Sequence, residues 1–390
     1  MWTVRLRDRR IWIALTLLAA GLCAWGLFDV HTEVRVRPET LFTLPWGTGE
    51  GAVGRAEAAG RVFGPRSFAV VDDRIYIADT FNGRVLVVDM GGRVIATYDL
   101  SGLAAAEVDA DVARILPGAV LVTAPAGGDR PARAAPWVND IAIGPDGRIY
   151  LADATAPRIL VLEADGTPAA TLDVSGAGPT SDPGGDAIWL TERLWVDEAG
   201  LLYLTHAYLS DAILSRRVTR FERDGGTFAH LSSISLREGS GLRVDEESLL
   251  PVVANSFAVG ADGRLYVESA GGSPFIRVVR AYDREARLEH SWQVTRPQMI
   301  TRAALIGVDA RRWVYLGLGI GDAQGEVVLL APELGTLYEA KVGWQAGFEA
   351  NVYARLAADE LYLARPASQG WELQRWQIDR VRRILPVGRR

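Results

Sequence analysis

The chain has 390 residues, of which 49% are hydrophobic, and 42 Lys+Arg stand against 48 Asp+Glu for a formal net charge of -6. That balance lacks the concentrated basic face a phosphate-backbone binder needs, so nucleic acid is excluded as a partner. The single cysteine, Cys23, excludes an intrachain disulfide and a Cys-based zinc site, and His31, His206, His230 and His290 are too dispersed for a paired-histidine metal motif.

The N-terminus reads as a membrane anchor. Arg5, Arg7, Arg9 and Arg10 lie in a basic tail over residues 1–10, followed by a predicted transmembrane signal-anchor helix over 11–29. Its apolar run of about 18 residues is just long enough to cross a bilayer. Trp12 and Trp25 near its ends suit the interface, and the basic tail is expected to stay cytoplasmic. The rest of the chain is then extracytoplasmic on a single-pass membrane protein. A cleavable signal peptide has the same layout but ends in a small-x-small site, whereas this run ends in Trp25, Leu27 and Phe28. Leu22 before Cys23 argues against a lipoprotein signal. Residues 30–40 read as a polar tether.

The stretch 65–89, PRSFAVVDDRIYIADTFNGRVLVVD, reads as three short strands joined by turns at Asp72-Asp73 and at residues 80–83, where Asn82-Gly83 is a hairpin signal. Within its second strand, Arg74 and Tyr76 are expected outward and Ile75 and Ile77 inward. A turn followed by apolar-Tyr-apolar recurs at Tyr76, Tyr150, Tyr203, Tyr266, Tyr315 and Tyr362. The spacing of roughly 47 to 74 residues suits a four-stranded blade plus loops. Six such units, none able to bury its own faces, predict an all-β fold: a six-bladed β-propeller over 41–388, preceded by one N-terminal transmembrane helix.

Ring closure is expected to pair an outer strand at 41–45 with strands at 372–378 and 383–387, removing the exposed sheet edge. Residues 124–136 and 176–185 read as interblade loops, and 104–116 as a short helix. The Gly-rich 47–54 stretch lacks the P-loop pattern and reads as a flexible connector.

The segment IYIADTFNGRVLVVDMGGRV resembles an NHL repeat, and IYLADATAPRILVLEADGTP is a second copy. In both, an Asp after the strand (Asp79, Asp153) faces an Arg opening the next (Arg84, Arg158), which suggests a structural ion pair across the hairpin. At the position of Asp79 later copies carry His206, Ser269, Leu318 and Arg365.

In a propeller the opening residues of the innermost strands converge near one channel mouth. Aligned on the tyrosines, these are Arg66, Asn139, Glu192, Asn255, Ala304 and either Asn351 or Val352, with Asp140 beside Asn139. Arg66, Asn139, Asp140, Glu192 and Asn255 are therefore the candidate ligand-binding residues. Asn139, Glu192 and Asn255 carry oxygen ligands of the kind calcium prefers. The strand PWVNDIAIGPDGRIY resembles that of gluconolactonase- and paraoxonase-type propellers, in which an Asn-Asp pair points to a central divalent metal, and ANSFAVGADGRLY resembles the blade giving a second Asn. On that resemblance Asn139 and Asn255 are metal or substrate ligands. The first-blade Glu of that group is replaced by Arg66 and a later Asp by a residue near Ala304, and an arginine there repels a cation but suits a carboxylate.

His206 reads either as a general base at the mouth or as a hairpin histidine. Trp344, Phe348, Tyr353, Trp371 and Trp376 are expected to pack between blades. The functional expectation is a binding or scaffolding module taking a protein or small-molecule ligand on one propeller face. The alternative is a calcium-dependent lactonase- or esterase-like hydrolase, and a third option is a structural part of an envelope complex.

Overall fold

The computed structural model describes residues 28–386, apart from 59–60, 66, 104–135, 154–155, 157, 175–187, 211–212, 225–226, 238–240, 245–247, 251–253, 286, 321–323, 332–336, 343–353 and 358. For 28–36, 188–192, 206–217, 222–250, 254–255, 337–342 and 378–386, among others, the description covers the backbone alone. Of the predicted anchor helix 11–29, residues 11–27 lie outside the described residues, while Phe28 and Asp29 open a strand instead of ending a helix. The expected helix at 104–116, residues 124–135 of one expected loop, the 176–185 loop, and Trp344, Phe348 and Tyr353 also lie outside the described residues. Among those described, no helix is long and apolar enough to cross a membrane.

Six antiparallel sheets form the blades. Blade 1 holds Phe68–Val71, Arg74–Asp79, Arg84–Asp89 and Val94–Asp99, and blade 2 holds Val138–Ile143, Ile149–Asp153, Arg158–Leu162 and Pro168–Asp173. Blade 3 begins with Ile188–Val196, Leu202–Ser210, Ile213–Asp224 and Thr227–Arg237 and adds Gly241–Val244 and Ser248–Leu250 at its outer edge. Blade 4 runs from Ala254–Val259 to Leu288–Thr295, and blade 5 from Ile300–Val308 to Leu337–Val342. Blade 6 takes Ala354–Ala357, Glu360–Ala367 and Gly370–Pro386 from the C-terminus and its outer strand, Phe28–Pro45, from the N-terminus. Each innermost strand approaches the next, and that of blade 6 approaches that of blade 1, so the ring is closed.

The apolar-Tyr-apolar pattern explains how the blades stack. Strand residues alternate between faces, so Ile75 and Ile77 pack toward blade 6 with Trp371 and Leu373, while Tyr76 and Ala78 pack toward blade 2 with Ile141 and Leu151. Tyr76 thus faces the neighbouring blade and is buried rather than outward, because a propeller strand has protein on both faces. Tyr150, Tyr203, Tyr266, Tyr315 and Tyr362 are buried likewise. Their hydroxyls have places to go: Tyr203 donates to Asp197 at 3.1 Å, Tyr315 to Asp309 at 3.3 Å and Tyr362 to Glu360 at 2.8 Å. Burial, reinforced by Asp197, pushes the Tyr203 hydroxyl well above its ordinary pKa.

The expected hairpin ion pairs are present. Arg84 Nε meets Asp79 Oδ2 at 2.9 Å and Arg158 Nη2 meets Asp153 Oδ2 at 2.8 Å, with both carboxylates fully buried. Asp79 also accepts from Asn82 Nδ2 at 2.8 Å and from the Gly54 amide at 2.9 Å. The 47–54 link is consequently pinned rather than loose: Asn82 donates to Gly47 O, and Arg84 to Gly49 O and Ala52 O. Of the Asn82-Gly83 pair only Gly83 takes positive φ (64°), closing a 3-10 turn over Thr80–Asn82.

Closure extends further than expected. Phe42, Thr43 and Leu44 pair with Leu373, Glu372 and Trp371, as expected for 41–45, but the ladder continues to Phe28↔Pro386. Residues 30–40 are therefore strand, not tether. Val34 and Val36 alternate with Arg35 and Arg37, the period-2 pattern of a strand, and Pro38 is tolerated because this strand is an edge. At the opposite end the Gly370 Cα sits so close to Leu44 that a Cβ there would lie 2.1 Å from the Leu44 carbonyl oxygen. Any side chain at 370 pushes the closing strand away.

On the face of the hairpin turns, Arg264 bridges Glu289, with Nε to Oε2 at 2.5 Å, and also bonds Asp262. The Arg264 hydrogen bond holds the Glu289 carboxyl below the usual range. A depressed carboxyl pKa adds stability that is present above the unfolded value of about 4.3 and is lost as pH falls through the folded value. Thermal melts from pH 6 to pH 3 should therefore fall less steeply for Glu289→Gln than for the parent; parallel curves would exclude this pair as a contributor.

Candidate functional site at the propeller axis

The mouth is shaped by a repeated irregularity. In blade 2 the register passes from Val138↔Asp153 to Asp140↔Ala152, leaving Asn139 as the extra residue of a β-bulge. Blade 3 skips Glu192 between Thr191↔His206 and Arg193↔Thr205, and blade 4 skips Asn255 between Ala254↔Ser269 and Ser256↔Glu268. Three of the residues singled out from sequence thus occupy one structural position in three consecutive blades. A bulge inserts a residue without a cross-strand partner and re-aims the side chains around it. Asn139 is half-buried. The side chains of Glu192 and Asn255, and Arg66 altogether, lie outside the described part, as do Asn351 and Val352. His206 sits opposite Thr191 at the bulge in blade 3.

The residue after each bulge is the one that reaches the axis. Asp140, 1% exposed, accepts hydrogen bonds on Oδ1 from Ser67 Oγ of blade 1 and Arg355 Nη2 of blade 6. Its Oδ2 accepts from the Leu194 amide of blade 3 at 2.8 Å, with Arg193 Nε at 3.9 Å. One carboxylate touching blades 1, 3 and 6 from blade 2 lies on the ring's axis. Ser67 Oγ in turn accepts from Arg355 Nη2 at 2.7 Å and from the Ile141 amide at 3.2 Å.

The network continues across the axis. Arg193 Nη1 donates to Leu305 O of blade 5 at 3.2 Å, and the Leu305 amide donates to Ser256 Oγ of blade 4 at 2.9 Å. Ser256 Oγ donates to Glu268 Oε2 at 3.3 Å, and the fully buried Glu268 has Arg277 Nε 3.6 Å from Oε1. All six blades are joined through Ser67, Asp140, Arg193, Ser256, Leu305 and Arg355. The two guanidiniums also lie over aromatic rings, Arg193 at 4.9 Å from Trp195 and Arg355 at 5.8 Å from Phe68. Charge-assisted hydrogen bonds of this kind, away from water, are stronger than neutral ones.

Alignment on the tyrosines falls one residue short of this network. It selects Arg66, Asn139, Glu192, Asn255 and Ala304, whereas the axial contacts come from Ser67, Asp140, Arg193, Ser256 and Leu305. Asp140 alone was on both sets. Arg355 and Glu268 were missed. A cue for Glu268 was available: two residues past the tyrosine the other blades carry Ala78, Ala152, Thr205, Gly317 and Ala364, so a glutamate there breaks a pattern of small residues.

No protein-family model matches the chain, including any for the NHL repeat it resembles, and no curated protein matches it. Among solved structures it is similar to a streptogramin B lyase (11% identity, TM-score 0.45, covering 89% of this chain and 98% of that one). It is also similar to virginiamycin B lyase from Staphylococcus aureus (10% identity, TM-score 0.45, 88% and 99% covered) and to a putative gluconolactonase (13% identity, TM-score 0.44, 92% and 96% covered). At such identities these likenesses concern architecture and carry no activity to this chain. By its own strand order and ring closure, the chain is an all-β six-bladed propeller.

Proposed function

We propose that this protein is a membrane-anchored, extracytoplasmic binding module whose ligand site is the channel mouth formed by Arg66, Asn139, Glu192 and Asn255. The observation that carries the reading is the shared bulge of Asn139, Glu192 and Asn255 in blades 2, 3 and 4. Three polar residues at one backbone position, on strands tied together by the Asp140–Arg355–Ser67 network, supply the residue types a preorganised hydrogen-bonding site needs. Asp140 acts as the axial lock beneath this set. Arg193 and Arg355 beside it bring positive charge to the floor of the mouth, which disfavours a cation and suits a ligand bearing a carboxylate.

The second reading is a calcium-dependent lactonase- or esterase-like hydrolase with Asn139, Glu192 and Asn255 as ligands. The same triple of oxygen-bearing residues favours it, since calcium takes carboxylate and carboxamide oxygens. Thermal melts of the full-length protein against a panel of hydroxy and sugar carboxylic acids and against calcium separate the two. A stabilising acid whose effect disappears in Asn139→Ala is the outcome expected for the binding module. Stabilisation by calcium together with lactone turnover moves the assignment to the hydrolase.

A further inference from the structure

The blade-6 ladder extends beyond the other strands of its sheet at one end only. The strand Glu360–Ala367 pairs with Gly370–Pro386 only as far as Leu361↔Trp376. Beyond that point Gly370–Pro386 and Phe28–Pro45 continue as a two-stranded ribbon from Arg37↔Gln377 to Phe28↔Pro386. These ten pairs span about 34 Å at ~3.4 Å per residue.

Leu361 follows the turn that joins the first two strands of blade 6, at Asp359. The ribbon therefore leaves the propeller on the face of those turns. The bulges at Asn139, Glu192 and Asn255 lie at the other end of the innermost strands, near their first residues. The strand Phe28–Pro45, taken as a whole, also runs close to the outer strand of blade 5, Leu337–Val342. Its last described pair places residue 28, the end of the apolar segment, at the ribbon's tip.

We infer that this terminal ribbon is a stalk that holds the propeller off the bilayer with its mouth facing away, so that the mouth takes its ligand from the aqueous phase rather than from lipid. The inference rests on the anchor reading above and adds to it a direction. A flexible tether would let the disc tumble; a paired ribbon continuous with a blade fixes which face meets the membrane. The reach of about 34 Å exceeds the Debye length of about 8 Å at physiological salt, so the facing turns are insulated from lipid charge.

The test uses the full chain with Cys23→Ser and a single new cysteine for a donor fluorophore, reconstituted in phosphatidylcholine vesicles carrying a lipid-linked acceptor. One variant is Glu285→Cys, on the turn between the two outer strands of blade 4, and the other Phe275→Cys, on the opposite turn of the same blade; both positions are exposed. Energy transfer should be greater from 285 than from 275, by about twofold or more given strands roughly 20 Å long between the two faces. Removing the matched pairs 30–33 and 381–384 should raise transfer from both. Equal or reversed transfer in protein that floats with the vesicles overturns the stalk while leaving the anchor. Protein that does not float overturns the anchor reading and the stalk with it.

Discussion

Replacing Asp140 with alanine is expected to lower stability by about 3–5 kcal/mol, the cost of breaking a buried charge pair from one side. The carboxylate is 1% exposed and receives Ser67, Arg355 and the Leu194 amide, with Arg193 adjacent. Alanine removes the acceptor and leaves the guanidiniums of Arg193 and Arg355, both mostly buried, without their shared counter-charge. The amide of Leu194 and the hydroxyl of Ser67 lose a partner as well, each worth about 1–3 kcal/mol when left unsatisfied. Asp140→Asn, which keeps the shape but not the charge, should fall between alanine and the parent. Denaturant midpoints of Asp140→Ala, Arg355→Met and the double variant give the coupling directly, because contacting residues are strongly non-additive. An Asp140→Ala protein within about 0.5 kcal/mol of the parent would show that the axial network does not hold the ring.

Deleting residues 1–45 is expected to be more damaging still. It removes the outer strand of blade 6, the ladder to Gly370–Pro386, and the buried side chains Phe42 and Leu44 that pack with Phe68, Trp371 and Leu373. Each of those two side chains contributes about 1.5–3 kcal/mol by burial alone. The remaining strand becomes an exposed edge carrying unpaired backbone groups, a template for association. Light scattering and near-ultraviolet circular dichroism should show an aggregated or loosely packed fragment, whereas a chain beginning at Phe28 keeps the native signals. A monomeric, cooperatively melting fragment from residue 46 would contradict this closure.

The fold was legible because six tyrosines keep one position in six strand-turn-strand units. A buried strand needs apolar groups on both faces, and the alternation of Ile75, Tyr76 and Ile77 serves blade 6 on one side and blade 2 on the other. The Asp79–Arg84 and Asp153–Arg158 pairs were legible for a similar reason: a carboxylate and a guanidinium five residues apart flank a short turn. The N-terminal strand was not. Its charged residues and Pro38 look like a linker, and the brief alternation of Val34 and Val36 with Arg35 and Arg37 becomes a strand against a partner more than 300 residues away, at Trp376 to Pro386.

The axis was half legible. Counting back from the tyrosines found the correct end of each innermost strand but in blades 2, 3 and 4 landed on the bulged residues, one short of Asp140, Arg193 and Ser256. Bulges carry no sequence mark as clear as a turn glycine, so Arg193 and Ser256 stood unmarked beside the more conspicuous Glu192 and Asn255. Arg355 was hidden for another reason. The innermost strand of blade 6 is short, Ala354–Ala357, and its arginine pairs directly with Tyr362, closer to the tyrosine than in any other blade.

Calorimetric titration of the mouth is the most direct test of the central claim. Full-length protein in detergent is titrated with calcium and, separately, with the carboxylic acid that stabilises it most, alongside Asn139→Ala and Asn255→Ala. The account predicts one acid site per chain, weakened about tenfold or more in either variant, as expected when roughly 1.4 kcal/mol of hydrogen bonding is lost, with no heat from calcium. Stoichiometric calcium binding that both variants abolish, with lactone hydrolysis appearing only in the calcium-loaded protein, would contradict it and make the mouth a hydrolase centre.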